Sequence, residues 1–189
     1  MRLNLIVRRL ATEGHPRVFI RGGCVEELLN AVASLWRTEG VEPHGGATPE
    51  TIRAFEQRYN VQLPEEVRAY FAHLNGMPER GCDSEFVQFW PLERVRSVAD
   101  ELRHQEPVPP SAEQYFCFAD YSVWCNAYAV RLSADGAGPA DVVAVYSGTD
   151  LIPAASSFSE FLRQYISPGR RSVLHPEFTK DGKRYGVAP

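Results

Sequence analysis

Apolar positions recur at helical spacing through the first half of the chain and at strand spacing through much of the second. From Cys24 to Thr38, the residues Val25, Leu28, Leu29, Val32, Leu35 and Trp36 share one stripe, and Gly40 closes the predicted helix. Val41 to Ala47 is turn-rich and reads as a linker. Thr48 then caps a second helix whose first position is Pro49, where a missing N–H costs nothing. Ile52, Phe55, Glu56 and Tyr59 follow at helical spacing. The pattern breaks at Leu63-Pro64. Pro64 opens a third helix with Glu65 and Glu66 in its first turn, where the helix dipole favours negative charge. Val67, Tyr70, Phe71 and Leu74 form its stripe, and Asn75-Gly76 ends it because both tolerate a left-handed backbone.

Beyond the loop Met77 to Asp83, Glu85 to Trp90 reads as a strand ending at Pro91. Leu92, Val95 and Val98 at three-residue spacing suggest a short helix to about Leu102, and Glu106 to Pro110 a surface loop. Tyr115 to Ala119 is an apolar run, with Asp120-Tyr121-Ser122 as a possible turn. In Val123 to Leu132, Trp124, Asn126, Tyr128, Val130 and Leu132 face one way and Val123, Cys125, Ala127, Ala129 and Arg131 the other. Ala134 to Pro139 is a hairpin loop. Val142 to Tyr146 is a further strand, and Ser147 to Asp150 turns into a last one, Leu151 to Ala155. Ser156 or Ser157 caps a closing helix with Phe158, Phe161, Leu162, Tyr165 and Ile166 on its buried face, stopped by Pro168-Gly169.

Helices, then strands joined by short loops, then one helix imply an α+β fold with a mainly antiparallel sheet and helices packed on it. The 189 residues suffice for one domain. We expect a domain at 25–168, an N-terminal extension at 1–24 and a weakly patterned basic tail at 169–189. The extension reads as a hairpin, a loosely held arm or an upstream extension from a wrongly chosen start codon. The tail reads as mobile or as an added surface segment.

Composition narrows the function classes. No apolar run approaches the roughly 18 residues of a membrane span. The N-terminal run breaks at Arg8-Arg9, too early for a signal peptide. A cytoplasmic protein with reduced Cys24, Cys82, Cys117 and Cys125 is expected. Charge is uneven: residues 1–21 carry +4, residues 22–160 carry −12 and residues 161–189 carry +4, which make up the net −4. Such a body repels nucleic acid and suits a basic partner, although acidic surfaces also serve solubility alone.

Catalytic patterns are wanting. None of His15, His44, His73, His104 and His175 has metal-ligand spacing, so no metal and no cofactor are expected. Cys117 and Cys125 on predicted strands read as buried thiols rather than nucleophiles. Adjacent Glu65 and Glu66 point apart on a helix and suit the dipole better than shared acid–base work. Glu56 either bonds a nearby backbone or arginine or faces a cleft. For partner binding the candidates are acidic and aromatic: Asp83, Glu85, Trp90, Asp120, Tyr121, Trp124 and Asp150. Their alternatives are core positions for the tryptophans and turn caps for Asp120 and Asp150. On the binding reading, Asp120→Lys is expected to weaken partner binding and leave the fold intact.

The stretch Thr48 to Gly76 resembles the SMI1/KNR4 family, also called the SUKH superfamily. The match lies in Ile52, Phe55 and Glu56, the break at Leu63-Pro64, and Tyr70 and Phe71 ahead of Asn75-Gly76. Phe116 to Tyr121 is similar to a strand of that family, and Ser157 to Leu162 to its closing helix. The resemblance implies one α+β domain with a twisted sheet. It also implies a non-enzymatic immunity-type protein that binds and neutralises a cognate toxin, often a nuclease or deaminase. A regulatory or scaffolding domain binding a cellular protein or small ligand is the alternative, since a shared fold fixes no partner.

Overall fold

A computed structural model describes residues 24–105, 107–146, 151–168 and 170–175. The expectations for residues 1–23, for Glu106, for the Ser147–Asp150 turn, for Gly169 and for residues 176–189 lie outside them. Helices α1 (Val25–Thr38), α2 (Pro49–Tyr59) and α3 (Glu65–His73) come first. Strands β1 (Val87–Phe89) and β2 (Arg96–Ser97), helix α4 (Val98–Glu101), strands β3 (Tyr115–Tyr121), β4 (Asn126–Arg131), β5 (Val142–Val145) and β6 (Ile152–Ala155), and helices α5 (Phe158–Tyr165) and α6 (Arg171–Leu174) follow. The strands form one antiparallel sheet in the order β1-β3-β4-β5-β6, with β2 also paired to β3. The fold is α+β, as expected.

Both faces of the sheet are buried. The larger core joins Leu28, Val32 and Trp36 of α1 to Ile52, Phe55, Tyr70 and Phe71, to Phe118 and Tyr128 of the sheet, and to Phe158 and Phe161 of α5. Period-two alternation sends Cys117, Ala127, Ala129, Val143 and Val145 to the other side, where Trp90, Val98 and Leu102 join them. One β-bulge breaks the alternation. Cys117 pairs with Ala129 but Ala119 with Tyr128, so Phe118 is an extra residue. Phe118 and Ala119 therefore both enter the larger core, and Asp120 swings to the side of Trp90, to which it is hydrogen-bonded.

Local signals explain most element ends. Thr48 Oγ1 accepts the Thr51 N–H at 3.2 Å, and Ser157 Oγ accepts that of Glu160 at 3.1 Å. Glu160 reaches back to the Ser156 N–H at 2.9 Å, a reciprocal cap. Glu66 has a longer reach. Its carboxylate accepts the N–H groups of Phe158 and Ser159 at 3.2 and 2.9 Å, so α3 caps α5. Gly76 sits at φ 78°, and a Cβ there would lie 2.5 Å from the Trp90 carbonyl, so no larger residue fits.

Three expectations are corrected. Leu92 to Leu102 is not one helix: a turn, β2 and the four-residue α4 occupy it, with Ser97 capping α4. Three-residue spacing of Leu92, Val95 and Val98 buries all three without helical continuity. Asp120 and Tyr121 belong to β3 and not to a turn. The turn falls instead on Ser122, Val123 and Trp124, all at positive φ, which β-rich composition disguised as strand. Trp124 accordingly packs with the second cluster, opposite to Tyr128. The described part of the basic tail is packed: Val173 and Leu174 are fully buried, and the Leu174 carbonyl accepts the Tyr128 hydroxyl at 2.6 Å.

Candidate binding cleft

The loop before β1 and the β3–β4 turn meet at one edge of the sheet. Phe86 N–H bonds the Asp83 carbonyl at 3.0 Å, and Ser122 N–H bonds the Phe86 carbonyl at 2.8 Å, so the two turns are tied together. Between them and the Glu79–Cys82 loop opens a cleft of about 320 Å³. Phe86, Val123 and Trp124 supply apolar lining, and Gln88, Arg94 and Asp120 supply polar lining.

Asp120 is the hub of the floor, only 4% exposed. Its Oδ2 accepts Trp90 Nε1–H at 2.5 Å and Arg94 Nη2 at 3.2 Å, and its Oδ1 accepts the Trp124 N–H at 3.2 Å. The Arg94 guanidinium lies 3.9 Å above the Trp90 ring and donates to Gln88 Oε1 at 2.8 Å. Gln88 in turn donates to the carbonyls of Pro78 and Glu79 at 3.1 and 2.7 Å. A carboxylate inside a protein requires such donors, and this one is committed to them.

Asp83 belongs to a second buried network. Its Oδ1 accepts the N–H groups of Glu85 and Val87 at 2.9 and 2.8 Å, and its Oδ2 accepts the Tyr165 hydroxyl at 2.6 Å. Tyr165 also accepts Trp36 Nε1–H at 3.0 Å. Arg170 approaches Glu39 at 3.1 Å, Asp83 at 4.0 Å and Glu85 at 3.5 Å. Burial pushes the Asp83 carboxyl above the usual aspartate range, against the hydrogen bonds from Tyr165 and Val87. Burial and then the Asp83 charge push the Tyr165 hydroxyl well above the ordinary tyrosine value. Burial also raises the Cys117 thiol, away from reactivity, whereas Cys125, expected as a buried strand thiol, is exposed in the β3–β4 turn.

The sequence candidates therefore separate. Trp90, Asp83 and Asp120 are interior; Asp120 and Trp90 brace the cleft from within. Trp124 lines it. Glu85 faces Arg170. Tyr121 meets the His175 ring edge-on at 4.7 Å. Asp150 lies outside the described residues. Glu56 accepts the Leu63 N–H at 2.8 Å and pairs with Arg68, the local role weighed for it. The sequence reading missed Phe86, Arg94 and Val123. An aromatic beside a β-strand start and a valine in a β-rich run look like core, so only the turn geometry reveals them.

No helix among the described residues is long and apolar enough to cross a membrane. The model of the SMI1/KNR4 family (SUKH-1) matches residues 46–164, from just ahead of α2 into α5. The search among curated proteins returned no match.

Proposed function

Since the chain belongs to the SMI1/KNR4 family (SUKH-1), we propose that it is a non-enzymatic bacterial immunity-type protein of the cytoplasm. It binds a cognate toxin, a nuclease or deaminase being the expected kind, and occludes the toxin's active site or substrate groove. The family match is the observation that carries this reading. The −12 balance of residues 22–160 supports a basic partner, drawn in by long-range steering. That steering falls to exposed acids such as Glu26, Glu27, Glu50 and Glu65, because Asp83 and Asp120 are buried. Co-expression with the toxin gene neighbouring its own is the test. Survival of the cells and a complex on gel filtration are expected; unprotected cells and no complex would overturn the proposal.

The cleft favours one other reading. At about 320 Å³ it is large enough for a small molecule, as a regulatory or scaffolding domain without a toxin would require. A gene neighbourhood lacking any toxin gene would favour that reading.

A further inference from the structure

The loop before β1, which walls the cleft, is held from behind by a residue that follows α5. The Arg170 guanidinium grips three consecutive residues of that loop. It approaches the Asp83 carboxylate at 4.0 Å, donates to Ser84 Oγ at 2.8 Å and meets Glu85 at 3.5 Å. A fourth contact, to Glu39 at 3.1 Å, ties it to the end of α1. Glu39 in turn accepts the Ser84 N–H at 3.0 Å. The next residue of the loop is Phe86, which lines the cleft.

The grip reaches the cleft through a short chain of hydrogen bonds. Asp83 Oδ1 accepts the Glu85 and Val87 N–H groups, and the Asp83 carbonyl accepts that of Phe86. The Phe86 carbonyl accepts the Ser122 N–H, so the β3–β4 turn hangs from it. The Asp83 side chain has no exposure to water, and Arg170 is its one ion-pair partner among the described residues. A buried carboxylate stripped of its cation leaves the interior or takes up a proton. The first removes the acceptor from Glu85 and Val87 and the second weakens it, so the Phe86 turn loosens either way.

Arg170 depends in turn on α6. Val173 and Leu174 are fully buried, and their N–H groups return to the Arg170 carbonyl at 3.2 and 3.0 Å. The Leu174 carbonyl accepts the Tyr128 hydroxyl of the sheet. Seating α6 therefore places the Arg170 backbone, and its side chain places the loop.

We infer that α6 is a strap that sets the cleft: release of α6 and loosening of the Phe86–Ser122 wall are one event. Arg170 is a positioning residue for a site that it does not line. The inference goes beyond the proposed function and holds for any occupant of the cleft. Its residues follow position 164, where the family match ends.

Amide hydrogen exchange of the whole chain, read residue by residue by NMR, is the test. Arg170→Gln removes the grip, and Leu174→Ala weakens the seat of α6 without altering any charge. If Leu174→Ala does not fold, Val173→Ala, a smaller truncation of the same seat, replaces it. Each variant should speed exchange of the Phe86 and Ser122 amides about tenfold or more relative to Ala129 in mid-sheet. The double variant should exceed the faster single by less than about twofold, since both break one link. An equal rise at Phe86, Ser122 and Ala129 would reduce the strap to ordinary stability and overturn the inference. So would unchanged Phe86 and Ser122 amides in the α6 variant, or effects that multiply in the double variant.

Discussion

Val123 stands almost wholly in solvent on a left-handed backbone, so its side chain adds strain without burial. Val123→Gly should relieve that strain, a cost of roughly 1–3 kcal/mol, against the extra unfolded-state freedom of glycine. A net gain of about 1 kcal/mol in urea denaturation is expected. Asp120 lies at the opposite extreme. Its carboxylate holds Trp90, Arg94 and the Trp124 N–H at once. Asp120→Lys would leave Arg94 facing a like charge in a buried site, so a loss of roughly 3–5 kcal/mol is expected. This reverses the outcome expected for Asp120 as an exposed contact, and a melting curve of the variant decides between them.

The elements show how far sequence pattern reaches. The edges of α1, α2, α3 and α5 were legible because caps and apolar stripes are local: Thr48, Pro49 and Ser157 act within a few residues. Phe55 was legible as core for the same reason. It packs on Tyr59 and Phe116 at ring separations of 5.1 and 5.8 Å, and Phe55→Ala should cost about 3–5 kcal/mol in denaturant titration. What pattern could not reach is the contact between distant elements. Glu66 has an obvious local role at a helix start, yet it caps α5 across 92 and 93 residues of chain. Glu66→Ala should therefore lower stability by about 1–2 kcal/mol. In hydrogen exchange, the new opening should appear at Phe158 and Ser159 rather than in α3. The cleft was illegible for a related reason: its turn is made of Ser122, Val123 and Trp124, none of them a residue type that announces a left-handed backbone.

At the scale of the molecule, buried tyrosines set the alkaline limit. Burial raises the hydroxyls of Tyr70 and Tyr165 above the ordinary value near 10. Below that value both states hold the protons, and the contribution to stability is constant. Above it the unfolded chain releases protons that the folded chain retains, so stability falls as pH rises. Each tyrosine removes about 1.4 kcal/mol per pH unit. Tyrosinate absorbance from these two rings should appear together with loss of circular dichroism, and not before it.

The family match ends at residue 164, but the packed unit does not. Arg170 spans Glu39, Asp83 and Glu85, and Leu174 receives the Tyr128 hydroxyl from the middle of the sheet. A ribosome delivers the chain from its N-terminus. Glu39 at the end of α1 and the acidic groups of the loop before β1 must therefore wait for their arginine, and Tyr128 for its carbonyl, until nearly all of the described chain has emerged. The nascent protein completes this core only once Leu174 has left the ribosome.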